Sequence, residues 1–244
     1  MKSFNLILIV FLLVPACKSS RIQEEPQKVN LAANSMGTGT VVTFEFSRGK
    51  SHNHPSFVLW AEDMEGNYLQ TLFITRAVGT SSYDHGDPSS GHWEPGEIRR
   101  PATLPYWAHK RGVKEKDGLY VPTIANPIAD AYTGATPPGD FSLVTRFDRA
   151  APRKFRIMFE INQPWDWNEY WTNDKYLEDA EYKTSCQPAL VYMAEVDLDD
   201  GVSSYILEIA GHSHYAGRTG ELFTDLGTQT TAMQIVSNLS IKFD

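Results

Sequence analysis

The segment Asp130-Ala131-Tyr132-Thr133-Gly134-Ala135-Thr136 sets a carboxylate, two hydroxyls and several small residues within a few positions. Thr136 follows Gly134 and Ala135, so there is little bulk around its hydroxyl. A group-transfer enzyme that closes over an acceptor oxygen needs small neighbours and a pliable backbone, which Gly134 supplies. Pro137 biases Thr136 toward an extended conformation. Average residue frequencies put Asp-x-x-(Ser/Thr)-Gly-Ala-(Ser/Thr) in roughly one random chain of this length per thousand. The plainer account of the same residues is a turn leading into a strand at Phe141. An acceptor loop must itself be a loop, so the two accounts are compatible.

Other groupings offer different chemistry. His52-Asn53-His54 and His212-Ser213-His214 each set two imidazoles on one face if the backbone is extended. Asp84-His85 and His92-Trp93-Glu94 add ligands from a loose region, and imidazole suits Zn, Cu or Ni. The alternative role for such histidines is at the surface or at element ends. Pro164-Trp165-Asp166-Trp167-Asn168-Glu169-Tyr170-Trp171 interleaves flat rings with acids and an amide. Trp165, Trp167, Tyr170 and Trp171 would serve as a sugar platform, or they would plug the open end of a sandwich. Asp166, Glu169 and Asp174 could pair for hydrolysis only at a separation set in three dimensions. The chain has no Gly-x-Ser-x-Gly elbow, His-Glu-x-x-His helix or phosphate-binding glycine loop. A carrier or binding protein is the expectation, rather than an autonomous enzyme.

The elements that must hold these residues are mostly strands. Residues 40–46 (TVVTFEF) and 69–75 alternate apolar and polar positions, and residues 56–61 (SFVLWA) are apolar and β-rich. Turn residues at 62–67 predict a hairpin between the last two. Further strands are expected at 141–147, 155–161, 189–196 and 205–210, the last pair joined by a turn at 197–201. A β-rich run at 232–243 closes the chain, its opening residues reading equally as a helical turn; one short helix is expected within 102–111. About eight strands at this spacing predict an all-β, immunoglobulin-like antiparallel β-sandwich. Residues 80–101 and 119–138 fit no element and are expected as long irregular loops, which are often functional.

Composition narrows the setting. Hydrophobic content of 41% and aromatic content of 12% support a packed core. A formal charge of −8 speaks against nucleic acid as the partner. The N-terminus has Lys2, an apolar run from Leu6 to Val14, and then Pro15-Ala16-Cys17. That is the pattern of an export signal, with a run too short to span a bilayer comfortably. Leu13-Val14-Pro15-Ala16-Cys17 resembles a bacterial lipobox, departing from it at Pro15. The resemblance implies cleavage after residue 16, lipid on Cys17, and anchoring to a membrane of the bacterial cell envelope, outside the cytoplasm. Residues 17–38 then read as lipidated N-terminus and linker, and 39–244 as the sandwich domain. Cys186 is left without a partner and is expected to be a buried, inert thiol.

Residues 130–136 resemble the acceptor site for covalent flavinylation in extracytoplasmic flavoproteins. There, a flavin transferase moves the FMN portion of FAD onto the last hydroxyl of the motif. The resemblance implies Thr136 as acceptor, with Asp130, Thr133, Gly134 and Ala135 read by the transferase. The hairpin Phe57-Val58-Leu59-Trp60-Ala61-Glu62-Asp63 with Gly66 and Leu69-Gln70-Thr71-Leu72 extends the likeness. Together with TGATPPG at 133–139, it resembles the domain-of-unknown-function 2271 family over about residues 40–243. This chain departs from the family pattern in lacking a Trp-Asp-Gly turn after Val144. Membership implies a periplasmic immunoglobulin-like protein accessory to flavin-dependent electron transfer, with a flavin transferase and membrane redox proteins as partners. A cofactor-free binding or scaffold lipoprotein, for a glycan or protein ligand, is the second reading. A histidine-based metal-binding protein is the third.

Overall fold

The structure is a computed structural model that describes residues 28–243. The leader and Cys17, with their expected cleavage and lipidation, lie outside the described residues. In chain order come β1 (Val29–Ala32), β2 (Val41–Arg48), β3 (Ser56–Glu62), β4 (Tyr68–Thr75), α1 (Arg76–Thr80), β5 (Ser82–Asp87), β6 (Glu94–Glu97) and α2 (Pro105–Arg111). Then follow β7 (Thr133–Gly134), β8 (Phe141–Arg146), β9 (Lys154–Asn162), α3 (Ala180–Ser185), β10 (Leu190–Asp197), β11 (Ser204–Ile206), β12 (Glu208–His212) and β13 (Val236–Phe243).

Two sheets face one another, β1-β8-β2-β13-β11 and β12-β10-β9-β3-β4-β7, while β5 and β6 pair separately. The fold is an all-β sandwich. Its pairings are antiparallel except at two edges, where β1 runs parallel to β8 and β7 parallel to β4. Between the sheets the alternation of β2 buries Val42, Phe44 and Phe46. Phe46 stacks on Phe141 at 4.8 Å, and Phe57 lies 5.2 Å from Phe141. Each such side chain contributes about 1.5–3 kcal/mol by leaving water.

Strand β3 is buried on both faces, so it does not alternate. Phe57, Leu59 and Ala61 belong to the inter-sheet core, whereas Val58 and Trp60 pack under α2 with Leu104, Trp107 and Met158. Pro105 opens α2 and Gly112, at φ 73°, closes it in a left-handed conformation that glycine adopts freely. Glu160, fully buried on β9, accepts the N–H groups of Tyr106 at 3.1 Å and Trp107 at 2.8 Å. Burial pushes its carboxyl up to about 8 against those two donors.

Several sequence expectations change here. Residues 29–32 were expected in the linker but form β1, because β8 offers a free edge to pair with. The strand expected at 205–210 divides at buried Leu207: β11 pairs with β13, and β12 with β10 in the other sheet. Residues 80–101 contain the β5–β6 hairpin rather than irregular loop alone. No helix among the described residues is long and apolar enough to cross a membrane.

Candidate functional site

The 130–136 segment lies on the edge of the six-stranded sheet. Residues 130–132 make one 3-10 turn, and β7 then pairs Thr133 with Ile74 and Gly134 with Thr75. The pattern residues divide. Asp130 and Ala135 are exposed and Thr136 is half-buried, its hydroxyl making no hydrogen bond to any described residue. Thr133 is buried instead, and a Cβ on Gly134 would meet the Phe73 ring at 2.7 Å. The small size of Gly134 also serves close packing against Phe73. Both residues have a structural role at the sheet edge.

The chain's entry braces this loop. Asn34 N–H donates to Ala131 O at 2.7 Å, and Asn34 Nδ2 reaches Arg146 O and Asp148 Oδ1, both at 2.8 Å. The Tyr132 hydroxyl donates to the same Asp148 carboxylate at 2.7 Å, and burial, helped by that bond, raises the phenol to about 12. Val29 N–H donates to Asp140 O at 2.9 Å. Residue 29 therefore enters at the same end of the sandwich as the loop that carries Thr136.

The aromatic stretch is at that end too, after Asn162 of β9. Its rings divide between inside and outside. Trp171 is 7% exposed, packs with Tyr182 and Tyr215, and donates from Nε1 to Thr228 Oγ1 at 3.1 Å. Trp165, Trp167 and Tyr170 are 63%, 56% and 51% exposed. Asn168 ties the stretch down: its Oδ1 accepts from Tyr170 N and Trp171 N, and its amide reaches Gln187 Oε1, Thr228 O and Thr230 Oγ1. Trp171 is the ring that plugs the sandwich, while the other three face outward. Asp166 is buried and bonded to Thr231, so it is separated in environment from the exposed Glu169 and Asp174.

The histidines do not converge. His54 has φ 51°, so residues 52–54 are not extended, and His52 lies edge-on to Phe46. His212 Nδ1 is 2.8 Å from Ser213 O, and its ring stacks on Phe223. His214 Nδ1 accepts from Ala216 N, and its ring stacks on Tyr215. Among the described residues no group of three or more His, Cys, Asp or Glu could hold a metal ion. Cys186 is buried, which pushes its thiol up to about 11, as expected of an inert cysteine.

One cavity was not foreseen from the sequence. A hollow of about 300 Å³ lies between α2, α3 and the 216–218 turn, lined by His109, Tyr120, Glu181 and Arg218 among others. Two of its groups already have structural partners: Arg218 pairs with Asp179, the N-cap of α3, and His109 packs on Tyr120 at 4.1 Å. Its walls come from segments far apart in sequence and without periodicity, so no sequence signal points to it. Compared with protein families, curated proteins and solved structures, the chain has no match.

Proposed function

We propose that this chain is a lipid-anchored protein of the bacterial cell envelope that carries FMN covalently on Thr136 and relays electrons for an extracytoplasmic flavin-dependent system. The observation that carries this reading is the unengaged, half-buried Thr136 hydroxyl within the complete acceptor pattern on an open sheet edge. The resemblance to the domain-of-unknown-function 2271 family supports it, and so does the lipobox-like Cys17.

The residues present suit the modification. In the transfer, the bond from Thr136 Oγ1 to the FMN phosphorus forms as the pyrophosphate of FAD breaks. AMP leaves, and the hydroxyl proton passes to the transferase. Exposed Asp130 and Ala135 are the groups the folded surface offers that enzyme. Thr133 and Gly134 become readable only if β7 lifts, and two paired residues release easily. Bound flavin supplies one- and two-electron transfer, while the chain supplies position. About a dozen residues separate Cys17 from β1, a reach of at most about 40 Å. Because β1 begins at the Thr136 end, that tether keeps the loop near the membrane surface, where short-range electron relay works.

The test is co-expression with a flavin transferase, followed by denaturing electrophoresis and flavin fluorescence. A fluorescent band that vanishes in Thr136→Ala is expected. A dark wild-type band would sink the reading.

A further inference from the structure

We propose that the outward rings of residues 165–170 form a binding platform for neutral oligosaccharides of flat, equatorially substituted pyranoses. The site is separate from Thr136 and does not depend on flavin.

The rings of Trp165 and Trp167 have no ring or cation partner, and neither indole N–H donates to a described residue. Trp60 and Trp107, in contrast, are fully buried with bonded indoles. Large rings left in water cost free energy that a stacked sugar face would recover, and each unbonded N–H can donate to a sugar hydroxyl.

The loop is also rigid before any ligand arrives. Trp165 sits at φ 55°, unusual for a residue with a side chain, and its N–H is held by Thr184 O at 3.1 Å. Asp166 N–H donates to Ser185 O, and Gln187 N–H returns a bond to Asp166 O, both at 3.1 Å. A pre-set platform loses little ordering entropy on binding.

Beside the Tyr170 ring a hollow of about 490 Å³ is lined by Asn168, Glu169, Tyr170, Gly227, Thr228 and Thr230. The Glu169 carboxylate makes no hydrogen bond to a described residue. Between Thr228 and Thr230, Gln229 is buried with both amide atoms unpartnered, and so is Asp166 Oδ2. The unengaged Glu169 carboxylate and the threonine hydroxyls lining this hollow suit a polyhydroxylated ligand. Charge decides against an anionic bilayer: Glu169, Asp174 and Glu178 are exposed around the rings, while Lys175 is spent over Tyr170 at 3.2 Å.

Cellohexaose and chitohexaose, titrated into the flavin-free Thr136→Ala chain and followed by tryptophan fluorescence, test the site. Saturable binding of at least one is expected, roughly tenfold weaker in Trp165→Ala and in Trp167→Ala, as loss of one stacking contact implies. Trp93→Ala, which removes an exposed tryptophan from the β5–β6 region, should leave it unchanged. Circular dichroism melts identify variants that fail to fold; two separate ring deletions keep the comparison available. Binding of neither hexasaccharide, or equal loss in the Trp93 variant, overturns the proposal. So does adsorption to phosphatidylglycerol vesicles abolished by the same two variants.

Discussion

The Thr136 loop and the Trp165 loop share one end of the sandwich, yet they are held in opposite ways. The first hangs on a two-residue parallel pairing, packing of Gly134 against Phe73, and contacts from Asn34 and Tyr132. Its acceptor hydroxyl is free. The second is fastened through one side chain, Asn168, which bridges three other residues and the loop's own backbone. Its rings are free. The contrast fits two tasks: a loop that a transferase must handle needs little fastening, and a recognition surface needs much.

The largest expected effect is at the fastening. Asn168→Ala strips acceptor and donor together and leaves Thr228 O without its donor, while Gln187 Oε1 keeps only the Thr230 N–H and hydroxyl. A loss of about 3 kcal/mol is expected in urea unfolding, and a loss within 0.5 kcal/mol would show that the loop is held by ring packing alone. Next, Gly134→Val drives a branched side chain into the Phe73 ring and should cost about 2 kcal/mol. An unchanged denaturation midpoint would mean that β7 is not docked in solution.

A pH effect separates the loops further. Burial raises the Asp166 pKa above its ordinary value, although bonds from Thr231 and Gln187 oppose this. The folded state therefore holds its proton over a pH range in which the unfolded chain has lost it. Stability is greatest below the unfolded pKa and declines as pH rises through the folded one. Amide exchange in the Trp165 loop should accordingly slow on mild acidification, relative to the Thr136 loop after correction for intrinsic rates. Asp166→Asn should remove that difference; its persistence would assign the effect elsewhere. The smallest change is expected for Thr136→Ala, whose stability should stay within about 0.5 kcal/mol of wild type because its hydroxyl has no partner to lose.

What the sequence revealed, and what it hid, follows the same physics. β2 was legible because one face is buried and the other is not, giving strict alternation. The β3–β4 hairpin was legible from its turn residues. β1 and β7 were not, since a short edge strand exists only because a neighbour offers unpaired backbone. The break at Leu207 was hidden because a strand that changes sheets keeps its β-rich composition. At the site, the acceptor pattern could be read residue by residue, but not the burial of Thr133, which depends on distant β4. The aromatic cluster was visible as composition, whereas the division of Trp171 from Trp165 and Trp167 was not. An irregular loop has no period from which to assign inside and outside.

The proposed flavin attachment depends on one oxygen atom, Thr136 Oγ1. Intact-mass measurement and in-gel fluorescence of the chain co-expressed with a flavin transferase test it most directly. One FMN-sized mass addition is expected, mapping to Thr136 and lost in Thr136→Ala, with the Asn168→Ala chain still modified. An unmodified wild-type chain, or flavin attached at another residue, would contradict it.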